Sequence, residues 1–255
     1  MPALKAIVLA SLALAPLAAQ ALVLSDDFTL IIDLAAVSDY RSRGISQTLG
    51  DPAAQFGLTL AHSSGLYAGA WTSNVDFGKS IDEEGNEFSF KTRQEVDYYA
   101  GYFWQMSDQI SLDLGYLKFT YPKESQFNQS EVYATLEAYG VELAAKYSND
   151  MENVFGKNQD TLYTYVGYKT TLPAEVGLEL RYGRNDFQDQ AFVSGDGGSR
   201  SSYREWEAKL TRDFVGVTWG LSYIDTDLSQ SECASWYGYG DLCTATVVAS
   251  ASKTF

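Results

Sequence analysis

Few residues of this chain could carry out catalysis. His62 is the only histidine among 255 residues, and it stands beside Ser63 and Ser64. Adjacent serines do not make a catalytic triad, because a nucleophile, a base and an orienting group must converge in space. The cysteines and the single histidine have no metal-ligand spacing. We therefore expect no enzymatic activity, no metal and no cofactor.

Two arginines spaced two residues apart are the most distinctive charged feature. In an extended segment Arg41 and Arg43 point the same way, and guanidinium groups form paired hydrogen bonds with carboxylates. With Asp39, Asp76 or acids inside the protein as partners, the arginines would form a structural clamp. An anionic solute and the phosphates of lipopolysaccharide are the alternative partners. Gly44 follows directly and permits a turn with positive φ.

The only two cysteines, Cys233 and Cys243, fall within one predicted loop. In an exported chain this spacing predicts a disulfide that closes a small loop, with two free thiols as the alternative.

The N-terminus has the features of an export signal. Lys5 precedes an apolar run at 6–19, and Ala19-Gln20-Ala21 fits the cleavage rule for small residues. We predict a signal peptide at 1–21 and one domain at 22–255. The alternative is an uncleaved anchor, but the run is shorter than the ~20 residues of a spanning helix. Without Lys5, 33 acidic residues face 17 basic ones, a charge of −16, which argues against nucleic-acid binding.

Segments of alternating apolar and polar residues occupy the chain after residue 26. Residues 244–255 show the pattern most clearly: one face carries mainly alanine and valine, and the other mainly serine and threonine. A period of two indicates strands with opposite environments on their two faces. We predict twelve strands, at 27–38, 53–62, 66–75, 91–104, 109–120, 130–139, 141–149, 161–169, 175–184, 202–212, 215–225 and 244–255.

The links between these strands are alternately long and short. Long links are predicted at 39–52, 76–90, 121–129, 150–160, 185–201 and 226–243. An even number of amphipathic strands with this asymmetry is typical of a transmembrane, antiparallel, up-and-down β-barrel of the bacterial outer membrane, with short turns in the periplasm. A soluble sandwich or barrel is the competing interpretation, but it would not need alternating links. The sequence ends on Phe255, and a terminal aromatic is similar to the signal that hands barrels to their assembly machinery.

Strand parity places a set of charged residues in the lumen. Fixing the lipid face of each strand fixes the opposite face; only the strand at 66–75 is ambiguous, since Leu66-Ala68-Ala70 and Tyr67-Trp71-Val75 are both plausible outward faces. Ten acids are expected inside, against five bases. The acids are Asp33, Glu95, Asp97, Asp113, Glu131, Glu137, Glu142, Glu179, Glu205 and Glu207, and the bases are Arg93, Lys146, Lys169, Arg181 and Lys209.

This excess of five acids predicts a preference for cations, since charged lumen groups select the permeating ion. The alternative is that the acids and bases pair into a hydrogen-bonded plug.

One stretch resembles a known family. Residues 38–48, Ser-Asp-Tyr-Arg-Ser-Arg-Gly-Ile-Ser-Gln-Thr, together with 69–77, 95–102 and Tyr121-Pro122, resemble the TorF-type porins of proteobacteria, a group also known under a conserved-hypothetical name. The likeness is strongest over 35–122. Ser42 departs from it, because an aromatic is expected between the two arginines. The resemblance implies an outer-membrane barrel with a pore; it supplies no substrate.

The sequence thus predicts a channel for passive passage of small hydrophilic solutes or ions, with outer-membrane lipid and lipopolysaccharide as its surroundings. The main alternative is a non-conducting structural or adhesive barrel that displays its outer loops, because a twelve-stranded lumen is narrower than that of the 16–18-stranded porins. A barrel enzyme such as an outer-membrane phospholipase is disfavoured, since His62 lies at a predicted periplasmic turn.

Overall fold

The computed structural model describes residues 21–81, 86–153 and 156–255. Residues 1–20, and with them nearly all of the predicted signal peptide, lie outside the described residues. Twelve long strands form the wall: β1 (Phe28–Val37), β2 (Ala53–His62), β3 (Leu66–Asn74), β4 (Gln94–Ser107), β5 (Ile110–Thr120), β6 (Gln129–Ala138), β7 (Val141–Glu152), β8 (Asn158–Leu172), β9 (Val176–Phe187), β10 (Ser202–Phe214), β11 (Val217–Thr226) and β12 (Thr246–Thr254).

Each strand pairs antiparallel with its neighbours in the chain, and β12 pairs with β1, so the sheet closes on itself. At this seam Thr254 lies opposite Asp33 and Ala251 opposite Ala36. The backbone of Phe255 exchanges two hydrogen bonds with Ile32, at 2.8 and 2.9 Å. Closure satisfies the backbone groups that a sheet edge would leave exposed, as a bilayer requires. The predicted up-and-down barrel of twelve strands is confirmed.

The strands β7 and β8 extend into a segment that the sequence pattern assigns to a loop. The predicted loop at 150–160 is wrong, because β7 continues to Glu152 and β8 begins at Asn158. Here Met151 pairs with Gln159 across a bulge, and Gln159 and Thr161 are buried on the inner face. The outer face is also polar in this part, so the alternation of apolar and polar residues disappears while the strands go on.

The outer surface of the wall is apolar and has aromatic residues near both ends. Exposed aromatics toward the long-loop end are Tyr98, Tyr116, Tyr147, Tyr182 and Tyr223; those toward the short-turn end are Tyr102, Trp104, Tyr139, Tyr168, Phe214 and Trp219. Aromatic side chains favour the interfaces of a bilayer. Two such girdles flanking an apolar band indicate a wall that faces lipid.

The face of β3 is settled by its pairing. Trp71 lies opposite Asp97 and Tyr67 opposite Gly101, so both aromatic rings are on the inner side with the charged residues. Leu66, Ala68 and the other residues of that parity face outward. Tyr67 fits because Gly101, which has no Cβ, leaves room for its ring.

The hydrophobic core lies at the long-loop end rather than inside the barrel. It joins loop 1 (residues 38–52) to loop 6 (residues 227–245) and to the ends of β9 and β10, and comprises Ile45, Phe187, Ala191, Phe192, Tyr203, Leu228, Cys233, Leu242 and Cys243. Loop 6 contains the helix α1 (Gln230–Tyr237), which begins at a capping box of Ser229 and Glu232 and ends at Gly238, with φ 80°. The long-loop end, the mouth of the barrel, thus has a packed hydrophobic core of its own. Among the described residues no helix is long and apolar enough to cross a membrane.

Candidate pore and its constriction

Loop 1 folds into the barrel instead of extending from it. Its centre is a hairpin in which Arg41–Ser42 pairs with Ile45–Ser46. The two residues between them, Arg43 and Gly44, have φ values of 50° and 84°, as the central residues of a type I′ turn require. This confirms the positive φ expected at Gly44. It also corrects the expectation that Arg41 and Arg43 point the same way, because Arg41 lies in a strand of the hairpin and Arg43 lies in its turn.

Arg41 holds the base of this hairpin. Its Nε donates to Asp39 at 2.7 Å, and its Nη1 donates to the carbonyl oxygens of Gly44 at 3.0 Å and Thr244 at 2.9 Å. Asp39 also accepts hydrogen bonds from the hydroxyls of Ser46 at 2.6 Å and Thr48 at 3.2 Å. The ion pair of Arg41 with Asp39, together with the bond from Arg41 to the Thr244 carbonyl, therefore joins loop 1 to loop 6.

Arg43 spans the lumen. Its guanidinium forms an ion pair with Glu131 on β6 and lies over the ring of Tyr163 on β8, with Cζ 4.6 Å from the ring centroid. The hydroxyl of Tyr203 on β10 donates to the carbonyl oxygen of Arg43 at 3.1 Å. Asp76, a predicted partner of Arg41 and Arg43, forms an ion pair with Arg93 instead, with its Oδ1 3.6 Å from Nη1 of Arg93. One side chain of loop 1 thus connects it to strands on the far wall.

The strand β4 carries two buried carboxylates that face the lumen. Glu95 is 1% and Asp97 6% exposed. The hydroxyl of Tyr40 donates to Glu95 Oε1 and that of Tyr121 to Glu95 Oε2, both at 3.1 Å. Burial raises the pKa of Tyr40 well above its ordinary value, so its hydroxyl keeps the proton that it donates. Tyr40 in loop 1 therefore adds a second link between the loop and the wall.

The opposite wall is an ion-pair network. Arg181 lies 3.0 Å from Glu205 and 2.8 Å from Glu207, and the hydroxyl of Tyr163 donates to Glu205 at 2.5 Å. Toward the short turns, Lys169 lies 2.5 Å from Glu142. The remaining two pairs are longer, at 3.9 Å between Lys169 and Glu137 and 4.0 Å between Lys209 and Glu179.

The charges of the lumen are therefore separated by strand. Its wall-borne bases, Lys146, Lys169, Arg181 and Lys209, all lie on β7 to β10. Of the ten predicted lumen acids, four have no base within 4.0 Å in the described part of the chain, and they lie on β1, β4 and β5: Asp33, Glu95, Asp97 and Asp113.

Hydroxyls hold the unpaired acids. Asp113 accepts from Tyr67 at 2.6 Å, and Asp33 accepts from Thr254 at 2.6 Å. Arg93, expected in the lumen, lies instead before β4 and donates to the carbonyl oxygens of Phe90 and Thr92 at 2.7 and 2.6 Å. Arg43 stands in the lumen in its place, so ten acids still face five bases.

A cavity of about 320 Å³ lies among residues of the long-loop end. Arg43 and Glu95 line it, together with aromatic residues from loop 2 (residues 75–93), β10 and α1, among them Phe77, Phe90, Tyr203, Trp236 and Tyr237. A solute in this cavity would therefore contact Arg43.

Cys233 and Cys243 form the disulfide that their spacing predicts, with Cα atoms 6.0 Å apart. The bridge is fully buried in the mouth core. The carbonyl oxygen of Cys243 accepts from the Thr226 hydroxyl at 2.7 Å, and that of Leu242 accepts from the Ser46 amide at 3.1 Å. The bridged loop thus supports the hairpin of loop 1.

His62 lies at the short-turn end of β2. Its Nδ1 is 2.8 Å from the Ser64 hydroxyl, and its ring packs edge-on against Phe28 at 4.8 Å. In the part of the chain that the structure describes, no group of three or more His, Cys, Asp or Glu side chains is arranged to hold a metal ion.

The sequence matches, over residues 23–255, a bacterial family described as "Bacterial protein of unknown function (Gcw_chp)". The chain belongs to this family. No curated protein matches it.

Solved structures of porins are similar in fold. The NanC porin has a TM-score of 0.53 and 11% identity, over 88% of this chain and 98% of that one. The KdgM porin in complex with disordered oligogalacturonate has a TM-score of 0.49 and 10% identity, over 88% and 99%. OccAB3 of Acinetobacter baumannii has a TM-score of 0.41 and 9% identity, over 91% and 65%. At 11% identity the similarity to the NanC porin concerns the fold alone. The closed wall, its apolar outer band and its two aromatic girdles are those of a barrel of the bacterial outer membrane.

The sequence analysis named lumen carboxylates as partners of the arginines but did not single out Glu131 for Arg43. It missed Tyr40, Tyr163 and Tyr203 as parts of the constriction. Strand parity places Tyr163 and Tyr203 in the lumen, which could have suggested them. No pattern in the sequence indicates that Tyr40 contacts Glu95.

Proposed function

We propose that the protein is an outer-membrane channel of the TorF porin type for passive passage of small hydrophilic solutes and ions, with a preference for cations. The observation that carries the proposal is the separation of lumen charge. Within the described residues, four of the ten predicted lumen acids lack a basic partner and lie on β1, β4 and β5. The four wall-borne bases lie on β7 to β10, where Lys169, Arg181 and Lys209 each have at least one acid within 4.0 Å.

Such a lumen attracts cations along one wall. The net excess of acids lowers the energy of a cation more than that of an anion, and the low dielectric constant of the wall strengthens the effect. The paired wall contributes less net charge, because its arginine and lysines are balanced by glutamates. Salt should weaken the preference through screening.

A second candidate is a non-conducting barrel that displays its outer loops. The specific observation in its favour is loop 1, whose Arg43 reaches Glu131 on the far wall, while loop 6 packs above it. Adhesion or a structural role would need only the loops and the lipid-facing wall.

Export and insertion form part of the proposal. Residues 1–21 act as a cleavable signal peptide, and residues 22–255 form the barrel domain. The last strand, ending in Phe255, is what the barrel-assembly machinery recognises, and lipopolysaccharide surrounds the long-loop end. The backbone of Phe255 pairs with Ile32 at the closing seam, so recognition of this residue would precede closure.

Planar-bilayer recording across a KCl gradient tests both candidates. We expect a reversal potential of the sign for cation preference, and a smaller one in the double variant Glu95→Gln with Asp97→Asn. Asp196→Asn is the matched control, since Asp196 is an exposed acid of the outer loop at 188–201. Anion preference in the parent protein would contradict the proposed selectivity. If that preference switched to cations on replacing Arg41 and Arg43 by alanine, the arginines of loop 1 and not the acids of the barrel wall would set the ion selectivity. Absence of conductance in all variants would favour the non-conducting barrel.

A further inference from the structure

The guanidinium of Arg43 occupies a slot built by other strands. Glu131 of β6 supplies a carboxylate and Tyr163 of β8 supplies the face of its ring, 4.6 Å from the guanidinium carbon. The ring is held in place because its hydroxyl donates to Glu205. Arg43 itself comes from loop 1, which is not part of the wall. The slot and its occupant are therefore structurally independent.

The slot has more acceptors than its occupant satisfies. Glu131 is 1% exposed, and its second oxygen, Oε2, is buried without a hydrogen-bond partner within the described residues. The nearby Asp97, 6% exposed, also has one buried oxygen, Oδ1, that accepts no hydrogen bond from a described residue. A buried carboxylate oxygen without a donor is costly. This arrangement favours a small cation that carries several N–H groups.

A guanidinium group fits these requirements. It is planar, always charged and carries several donors that match carboxylates bidentately, and its face stacks on an aromatic ring. A primary ammonium offers three donors and the same charge in a smaller volume. An anion would meet Glu131, Glu95 and Asp97, and a neutral solute would leave the carboxylates uncompensated.

The occupant of the slot borders the cavity at the long-loop end. The Arg43 side chain is 17% exposed and lines the 320 Å³ cavity. Its backbone has φ 50°, a left-handed conformation that is unfavourable for a residue with a Cβ. A solute cation that paired with Glu131 would replace the contact that keeps the Arg43 side chain in the slot.

We propose that the slot between Glu131 and Tyr163 is a recognition site for solutes bearing a guanidinium or primary ammonium group, and that Arg43 is its built-in occupant. A solute that enters the cavity displaces the Arg43 side chain and releases the tip of loop 1 from the far wall. Recognition stands on the contacts of the slot alone; passage after release rests on the proposed channel function.

Binding is tested on the folded barrel in detergent by isothermal titration calorimetry with guanidinium chloride, against urea as a neutral probe of similar shape. Arg43→Ala empties the slot, and we expect it to bind guanidinium about tenfold more tightly than Arg43→Ala combined with Glu131→Gln, the loss expected for one charge-assisted hydrogen bond. Urea should bind neither. Arg184→Ala is the matched control, because it removes an arginine whose ion pair with Asp186 lies on the outer face.

Equal affinity in the single and double variants would overturn the proposal, as would equal binding of urea. Arg43→Gln, which retains most of the side-chain length, replaces the alanine variant if that one fails to form a heat-resistant barrel. The same proteins are then recorded in planar bilayers. Guanidinium binding without any conductance would support the slot and reject the channel. Conductance without guanidinium binding would support the channel and reject the slot.

Discussion

Replacing Gly44 by alanine should release loop 1 while leaving the barrel closed. A Cβ at this position would lie 2.6 Å from Cγ2 of Thr226 and 3.0 Å from Cβ of Glu205. Thr226 has little freedom to move, since it is 6% exposed and its hydroxyl donates to the Cys243 carbonyl at 2.7 Å. The variant therefore combines a left-handed backbone, at φ 84°, with overpacking against the wall.

Gly50 provides the matched control within the same loop. Its φ is 82°, and a Cβ there would meet nothing within 4 Å. Both alanine variants carry the backbone cost of about 1–2 kcal/mol. Only Gly44→Ala adds overpacking, which costs about 1–3 kcal/mol. This difference should raise the population with loop 1 released by about 5- to 150-fold over that of Gly50→Ala.

Limited proteolysis with trypsin measures this population. Arg41, with a side chain 6% exposed, and Arg43 are protected while loop 1 is docked, and cleavage after either follows the released fraction when release is fast. Unboiled gel electrophoresis checks that the barrel stays folded. We expect much faster cleavage in loop 1 for Gly44→Ala than for Gly50→Ala. Equal rates in the two variants would refute the close packing of the hairpin tip against Thr226.

Three further outcomes follow from the loops. Replacing Cys233 and Cys243 by serine should destabilise loop 6 by roughly 2–3 kcal/mol but leave the barrel intact, and two alkylatable thiols in the unreduced parent protein would end the prediction. Tags inserted at 76–81 and 194–198 should be labelled on intact cells, whereas a tag at 63–65 should need permeabilisation; the reverse pattern would invert the topology. The pKa of Glu232 is lowered overall. Burial alone would raise it, but hydrogen bonds from the N-cap residue Ser229 and from the guanidinium of Arg200 outweigh burial. A lowered pKa stabilises α1 above the unfolded value of about 4.3 and loses this effect as the pH falls through the folded value, so hydrogen exchange of α1 should accelerate there, and Glu232→Gln should abolish the acceleration.

The wall of the barrel could be predicted because the pattern that specifies a strand involves only residues close together in the chain. Alternation along a strand depends only on residues two positions apart, so one clear lipid face assigns every lumen residue of that strand. Asp113 on β5 and Glu205 on β10 are on the inner face for this reason. The alternation disappears where both faces are polar, which is why the sequence pattern predicts a loop at the long-loop ends of β7 and β8. It was ambiguous on β3, where small and aromatic residues alternate.

The constriction could not be predicted, because its contacts join residues far apart in the chain. Arg43 and Glu131 are 88 positions apart, and Arg41 and the carbonyl of Thr244 are 203 apart. Closure of β12 on β1 brings these residues to one mouth. The two positive φ angles at Arg43 and Gly44 then decide which arginine holds the loop and which spans the lumen. On the strands with one clear apolar face, the sequence by itself determined which residues face the lumen, since the side-chain period of a strand is a property of its backbone; only the tertiary structure decided which of them meet.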